Sequence, residues 1–231
     1  MNEILPKFAD LRAVLFDMDG VLTQNTPFHE LAWRQAAGQQ YGIDIPEGDL
    51  RIHAGKNSEI LQVLLNREVP EEEVQHFHHL KESTYRDLAR GSLEPTLGLK
   101  AYLNWLQEQN LQVALVTGAD RPNVDFVLQA LGLTDTFAVQ ITSELFEKGK
   151  PDPTCYHLAL QQLGLTPAQV LVHEDSPAGT AAAVAAGCTV LALGTTTTPE
   201  VLQTRGAAKV FRDFTDILPF MQRHQSAVTG R

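Results

Sequence analysis

The stretch AVLFDMDGVLT, residues 13–23, sets four apolar residues against two aspartates one residue apart. Ala13 to Phe16 reads as a strand buried on both faces, because continuous apolar runs without alternation suit parallel sheets. Asp17 and Asp19 follow at its carboxyl end. In extended chain, residues i and i+2 face the same way, so the two carboxylates share one pocket. Like charges placed together repel and resist desolvation unless something cationic joins them. A divalent metal answers that need. Gly20 then lets the chain turn away with no side chain obstructing the site.

Working outward, further apolar runs recur at Val113–Val116, Val139–Ile141, Val170–Val172, Val190–Leu193 and, more weakly, Val210–Phe211. Helical patterns lie between them. Leu99, Tyr102, Leu103 and Leu106 keep an i, i+3, i+4, i+7 spacing, as do Val124, Val127, Leu128 and Leu131, and Tyr156, Ala159, Leu160 and Leu163. Strand–helix alternation of this kind predicts an α/β fold with a doubly wound parallel sheet. The exception runs from about Pro27 to Arg90, which contains three helical stretches and no convincing strand. It reads as a helical domain inserted after the first strand. The Pro- and Gly-punctuated segments TQNTP and GSLEPTLG are its hinges. The expected division is a core of residues 1–24 and 94–231 and a helical domain of residues 25–93.

In open α/β sheets, ligands bind beyond the carboxyl ends of the strands. Polar clusters follow four of the runs: Asp17 and Asp19; TGAD with Thr117; KGKPDP with Lys148 and Lys150; and HEDS with Glu174 and Asp175. Four carboxylates suit magnesium, a hard cation that takes oxygen ligands and keeps waters and substrate phosphate in its shell. With the metal and Lys150 counted, four ionised carboxylates leave the site at about −1, and protonating one relieves the repulsion. A protonated Asp19 would serve as the general acid that phosphate-ester cleavage needs.

The motifs DMDGVLT, VTGA, KGKPDP and HEDSPAG together resemble the four motifs of the haloacid dehalogenase-like hydrolase superfamily. The resemblance spans nearly the whole chain and is closest to the β-phosphoglucomutase-like branch, which carries a helical cap after the first strand. It implies a Rossmann-like core with residues 25–93 as the cap. It implies that Asp17 forms an aspartyl-phosphate and that Asp19 is the acid/base. Thr117, Lys150 and backbone amides near Gly118 would hold the phosphoryl group. Mg²⁺ would be bound by Asp17, the main-chain carbonyl of Asp19, Glu174 and Asp175. Lys148 has no established role in that scheme.

The resemblance implies an enzyme of small phosphate esters, sugar phosphates among them; the shared motifs do not separate phosphatases from mutases, and the cation-poor loop HAGKNSEIL favours a phosphatase. The alternatives are a β-phosphoglucomutase-type isomerase and a phosphometabolite-binding regulatory protein. His29 matches a cap histidine used by mutases, but Ala54 and Ser58 stand where mutases place a lysine and an arginine. Asn25 also replaces a hinge threonine. His29 and Lys56 are the cap candidates for substrate contact. Asp19 argues against dehalogenases and phosphonatases, which lack an aspartate there.

Other features read as ordinary structure. Of 231 residues 43% are hydrophobic, and a formal net charge of −10 disfavours nucleic acid and anionic membranes as partners. The N-terminus has no apolar h-region. Residues 176–198 are uncharged, yet their Ala, Gly and Thr content suits a buried helix and a strand rather than a membrane span. Cys155 and Cys188 form no disulfide framework, so a reduced, cytoplasmic protein is expected. His76, His78 and His79 read as a solvated helix face, Trp33 and Trp105 as core residues, and Gln225–Arg231 as a fraying end. Lys56 follows Gly55 without a phosphate-loop motif. The pattern carries no legible interface, and oligomeric state stays open.

Overall fold

The computed structural model describes residues 8–52 and 56–229. Strands β1 (Ala13–Phe16), β2 (Gln112–Val116), β3 (Val139–Ile141), β4 (Val170–His173), β5 (Thr189–Leu193) and β6 (Lys209–Phe211) form one sheet. They lie in the order β3-β2-β1-β4-β5-β6, and each neighbouring pair is parallel. The order reverses at β1, whose Phe16 stands opposite Leu115 of β2 and His173 of β4. A doubly wound sheet opens a crevice at that reversal, outside the carboxyl ends of the strands.

Between β1 and β2 the chain runs through α1 (Thr26–Tyr41), α2 (Asn57–Leu65), α3 (Glu71–Ala89) and α4 (Leu99–Glu108). The first three belong to a separate compact unit, Asn25–Leu93. Its core gathers Trp33, Ala36, Ala37, Ile45, Ile60, Leu61, Val74 and Phe77. Two charges are buried with it: Lys81 donates to Glu82 at 3.0 Å and lies over the Trp33 ring. Asn57 donates to the same Glu82 oxygen at 2.7 Å. A charge so deep in a small domain is tolerated only when paired and hydrogen-bonded.

The other unit holds the sheet, with residues up to Gln24 and from Glu94 onward. Its remaining helices are α5 (Arg121–Leu131), α6 (Thr154–Leu163), α7 (Pro177–Ala185), α8 (Pro199–Thr204) and α9 (Phe214–Thr229). Local chemistry sets their ends. Asp120 caps α5 by accepting from the Asn123 N–H, and Ser176 caps α7 by accepting from the Gly179 N–H. β1 is buried throughout because both faces are covered. Ala13 and Leu15 join a cluster with Tyr156, Ala159, Leu160, Ala182 and Ala183 of α6 and α7. Phe16 meets an aromatic group of Tyr102, His173 and Phe214. That double burial is why the strand shows no alternation.

The segment 176–198 folds as α7 and β5, and among the described residues no helix is long and apolar enough to cross a membrane. Cys155 and Cys188 are buried free thiols. α9 runs from Phe214 to Thr229. Gly230 and Arg231 lie outside the described residues.

Candidate active site

β1 and β4 deliver their next residues side by side. The Asp17 N–H donates to the His173 carbonyl at 3.0 Å, which continues the parallel ladder one step past Phe16. Asp17 and Glu174 thereby leave adjacent strands at the same level. Met18 is wholly buried while Asp19 is half-exposed, the alternation expected of neighbouring positions. The chain then closes a single turn, with the Leu22 N–H donating to the Met18 carbonyl at 2.8 Å.

Gly20 and Gly179 make room for two of the acids. Gly20 has φ +77°, and a Cβ there would come 1.9 Å from Asp175 Oδ2. A Cβ on Gly179, in the first turn of α7, would meet the Glu174 carboxylate at 2.1 Å. Both carboxylates are packed against backbone that only glycine supplies.

One ammonium joins the acids. Lys150 Nζ donates to Asp17 Oδ1 at 2.7 Å, to Glu174 Oε1 at 2.6 Å and to the Val116 carbonyl at 3.0 Å. An ammonium has three donors, so Lys150 is saturated inside the protein and must exchange a partner to touch a ligand. Burial pulls the Lys150 ammonium down, but Asp17 and Glu174 outweigh it and hold its pKa above the ordinary value. Burial raises Asp17 to about 7; Lys150 opposes the rise, while Glu174 and Asp19 add to it. Asp175 is raised well above the carboxylate range, by burial first and then by Asp17 and Glu174.

One oxygen from each of Asp17, Glu174 and Asp175 lies within 4.8 Å of the others, and all three residues are buried. When all three are ionised they leave two negative charges against one ammonium, and every donor is a hard oxygen. A hard dication fits that set in charge and in ligand type. Among the described residues no other group of His, Cys, Asp or Glu gathers this way. His76 and His79 are exposed, as a solvated face requires, while His78 is half-buried and lies 3.0 Å from the Asn57 amide.

Thr117 follows β2 and is buried. Its N–H donates to the Ile141 carbonyl, and its hydroxyl accepts from the Ala119 N–H at 3.1 Å. The hydroxyl proton remains for another acceptor. Gly118 is exposed, and a Cβ there would meet nothing within 4 Å. Lys148 is exposed.

Residues 11–187 match the haloacid dehalogenase-like hydrolases. The chain belongs to this family. Among relatives of this haloacid dehalogenase-like hydrolase is a phosphorylated carbohydrates phosphatase of Thermotoga maritima. It is 32% identical over 183 residues, which cover 77% of this chain and 82% of the relative. A β-phosphoglucomutase of Bacillus subtilis is 30% identical over 194 residues, covering 80% of this chain and 84% of the relative. A solved family IA hydrolase from Entamoeba histolytica superposes with a TM-score of 0.84 at 26% identity, covering 95% of this chain and all of that one.

The cap candidates of this hydrolase lie in the helical unit. His29, on α1, stacks on Tyr85 with centroids 3.7 Å apart, and its Nδ1 accepts from Lys81 Nζ at 3.0 Å. Lys56 precedes α2, and its backbone N–H donates to the Glu59 carboxylate at 3.0 Å. Ser58 is half-buried in the first turn of α2, and Ala54 lies outside the described residues.

Sequence reasoning missed several residues. Tyr156 donates to Glu174 Oε1 at 2.5 Å, yet its place in the apolar spacing of α6 marks it as core. Thr195 donates to the Gly20 carbonyl at 2.7 Å and Thr196 to the Asp175 carbonyl at 2.9 Å. A signal for these existed: they follow β5, a fifth strand end on the same rim. Lys81 and Glu82 gave none, because a Lys–Glu pair on a helix ordinarily faces water.

Proposed function

We propose that the chain is a magnesium-dependent phosphatase of small phosphorylated metabolites, sugar phosphates among them, working through an aspartyl-phosphate on Asp17. The observation that carries this reading is the meeting of Asp17, Lys150, Glu174 and Asp175 at the carboxyl ends of the central strands. The Thermotoga phosphatase is a relative over most of the chain and supports the same substrate class.

In this mechanism an Asp17 oxygen attacks phosphorus while the bond to the leaving alcohol breaks. Asp19 gives that alcohol oxygen its proton. Asp19 then takes a proton from water, the water oxygen attacks the phosphorus, and the bond to Asp17 breaks. Inorganic phosphate leaves and Asp17 returns as a carboxylate. Asp17, the Asp19 carbonyl, Glu174 and Asp175 would hold Mg²⁺, which supplies positive charge against the phosphoryl oxygens and favours ionised Asp17. The Thr117 hydroxyl and the Gly118 N–H donate to phosphoryl oxygens. Lys150 orients Asp17 through Oδ1 and adds its charge to the same face. The open space at Gly118 suits a ligand that approaches backbone. The helical unit serves as the cap, and His29 and Lys56 contact substrate.

A panel of phosphorylated metabolites tests this reading, scored for released phosphate and for isomerised product, with and without magnesium. Magnesium-dependent release by the wild type, abolished in Asp17→Asn, is expected. Interconversion of glucose 1- and 6-phosphates without net release would instead make the chain a mutase. No turnover of any kind would leave a binding protein.

A further inference from the structure

We propose that Tyr156 is a positioning residue for the metal-binding carboxylate of Glu174. Its hydroxyl fixes Oε1 against Lys150 and leaves Oε2 as the oxygen for the ion. This inference rests on the magnesium reading above and concerns a residue outside the four motifs.

Tyr156 is wholly buried among Val116, Ile141, Val172 and Ala182, where phenylalanine would pack as well. The hydroxyl therefore answers a polar need. It donates to Glu174 Oε1 at 2.5 Å, and Lys150 Nζ donates to the same oxygen at 2.6 Å. The Tyr156 ring also faces that ammonium, with Nζ 5.2 Å from the ring centroid. One side chain thus touches both members of the ion pair. Among the described residues, Glu174 Oε2 has only longer contacts, at 3.3 Å each, from the Asp175 N–H and the Ser176 hydroxyl. With two short bonds on one oxygen and two long ones on the other, the carboxylate cannot swing its oxygens without breaking its best contacts. Partners that orient a metal ligand are commonly worth about 10- to 100-fold in metal affinity or activity.

Tyr156→Phe removes the hydroxyl and keeps the ring over Lys150. The direct readout is the dissociation constant of Mg²⁺ from the metal-free protein by calorimetry, with Mn²⁺ binding followed by electron paramagnetic resonance. A rise of about 10- to 100-fold is expected, with half-maximal activity moved to higher magnesium by a similar factor. A dissociation constant within about twofold of wild type overturns the inference, the expected loss being at least tenfold. Leu160→Ala, in the same packed cluster, controls for loosened packing: it should lower the melting temperature and leave metal affinity alone. An equal loss of affinity in that control also overturns the inference. If Tyr156→Phe does not fold, 3-fluorotyrosine at position 156 gives a second measurement, and a ¹⁹F resonance unmoved by saturating magnesium counts against the inference. Wild-type protein that binds no magnesium removes the underlying reading instead, so the two failures are distinguishable.

Discussion

Gly179→Ala sets helix propensity against the site. Gly179 lies in the first turn of α7, where alanine is the better helix former by up to about 1 kcal/mol. An added Cβ would stand 2.1 Å from the Glu174 carboxylate, and ordinary contact begins at 3.4 Å, so the carboxylate must retreat by about 1.3 Å. Such a retreat is easy for a loose surface glutamate. Here Glu174 is fully buried and held by short bonds from Lys150 and Tyr156. Bonds of these lengths do not survive a displacement of that size intact. Hydrogen bonds to charged groups contribute about 1.5–3 kcal/mol each, so losing one or both outweighs the propensity gain of about 1 kcal/mol and leaves a net loss of about 0.5–5 kcal/mol. Metal affinity falls with it, because the displaced group is a ligand. Urea denaturation of the metal-free protein and calorimetric magnesium titration read the two effects separately. A variant that is more stable than wild type and binds magnesium equally well would refute the reasoning.

Other perturbations follow from the same packing. Gly20→Ala forces a side chain into a left-handed backbone and to 1.9 Å from Asp175 Oδ2, so it should lose magnesium binding in a metal titration; unchanged affinity would mean that the acid is not confined there. Asp17 titrates at about 7 in the folded, metal-free protein against 3.8 for the ordinary group, mainly through burial. Between those values the folded state keeps a proton that the unfolded chain has released, so the stabilisation of wild type relative to Asp17→Asn declines as pH rises from about 4 to about 7. Melting temperatures across that window, with and without magnesium, check the sign; the gain from magnesium should grow with pH, and a flat gain contradicts it. In the helical unit, Lys81→Met leaves Glu82 buried without its cation, which costs about 3–5 kcal/mol. Adding Glu82→Gln should recover most of that loss in denaturant unfolding, and no recovery would argue against a paired charge.

The sheet was legible because its strands are buried on both faces. Ala13–Phe16 and Val190–Leu193 need no polar residue anywhere, and such runs stand out in any sequence. The first acidic pair was legible for a related reason: two like charges one residue apart at the end of an apolar strand repel and resist desolvation unless a cation joins them. The helical insertion showed itself by three patterned stretches with no strand between them. Family membership rested on four short motifs whose combination is specific, and residues 11–187 carry it.

What the chain alone determined is the set of groups at the strand ends, since strand placement follows from local patterning and the acids follow the strands. Tertiary structure decided how those groups are held. Tyr156 reads as a core residue because its ring is one, and only the meeting of α6 with the residue that follows β4 gives its hydroxyl a carboxylate. Lys81 and Glu82 read as solvated, and only the packing around Trp33 and Asn57 buries them. Periodicity records which side of an element faces inward, because water sorts side chains by polarity along one helix or strand. It carries no record of what arrives from another element, and a hydrogen bond depends on that meeting to within a fraction of an ångström.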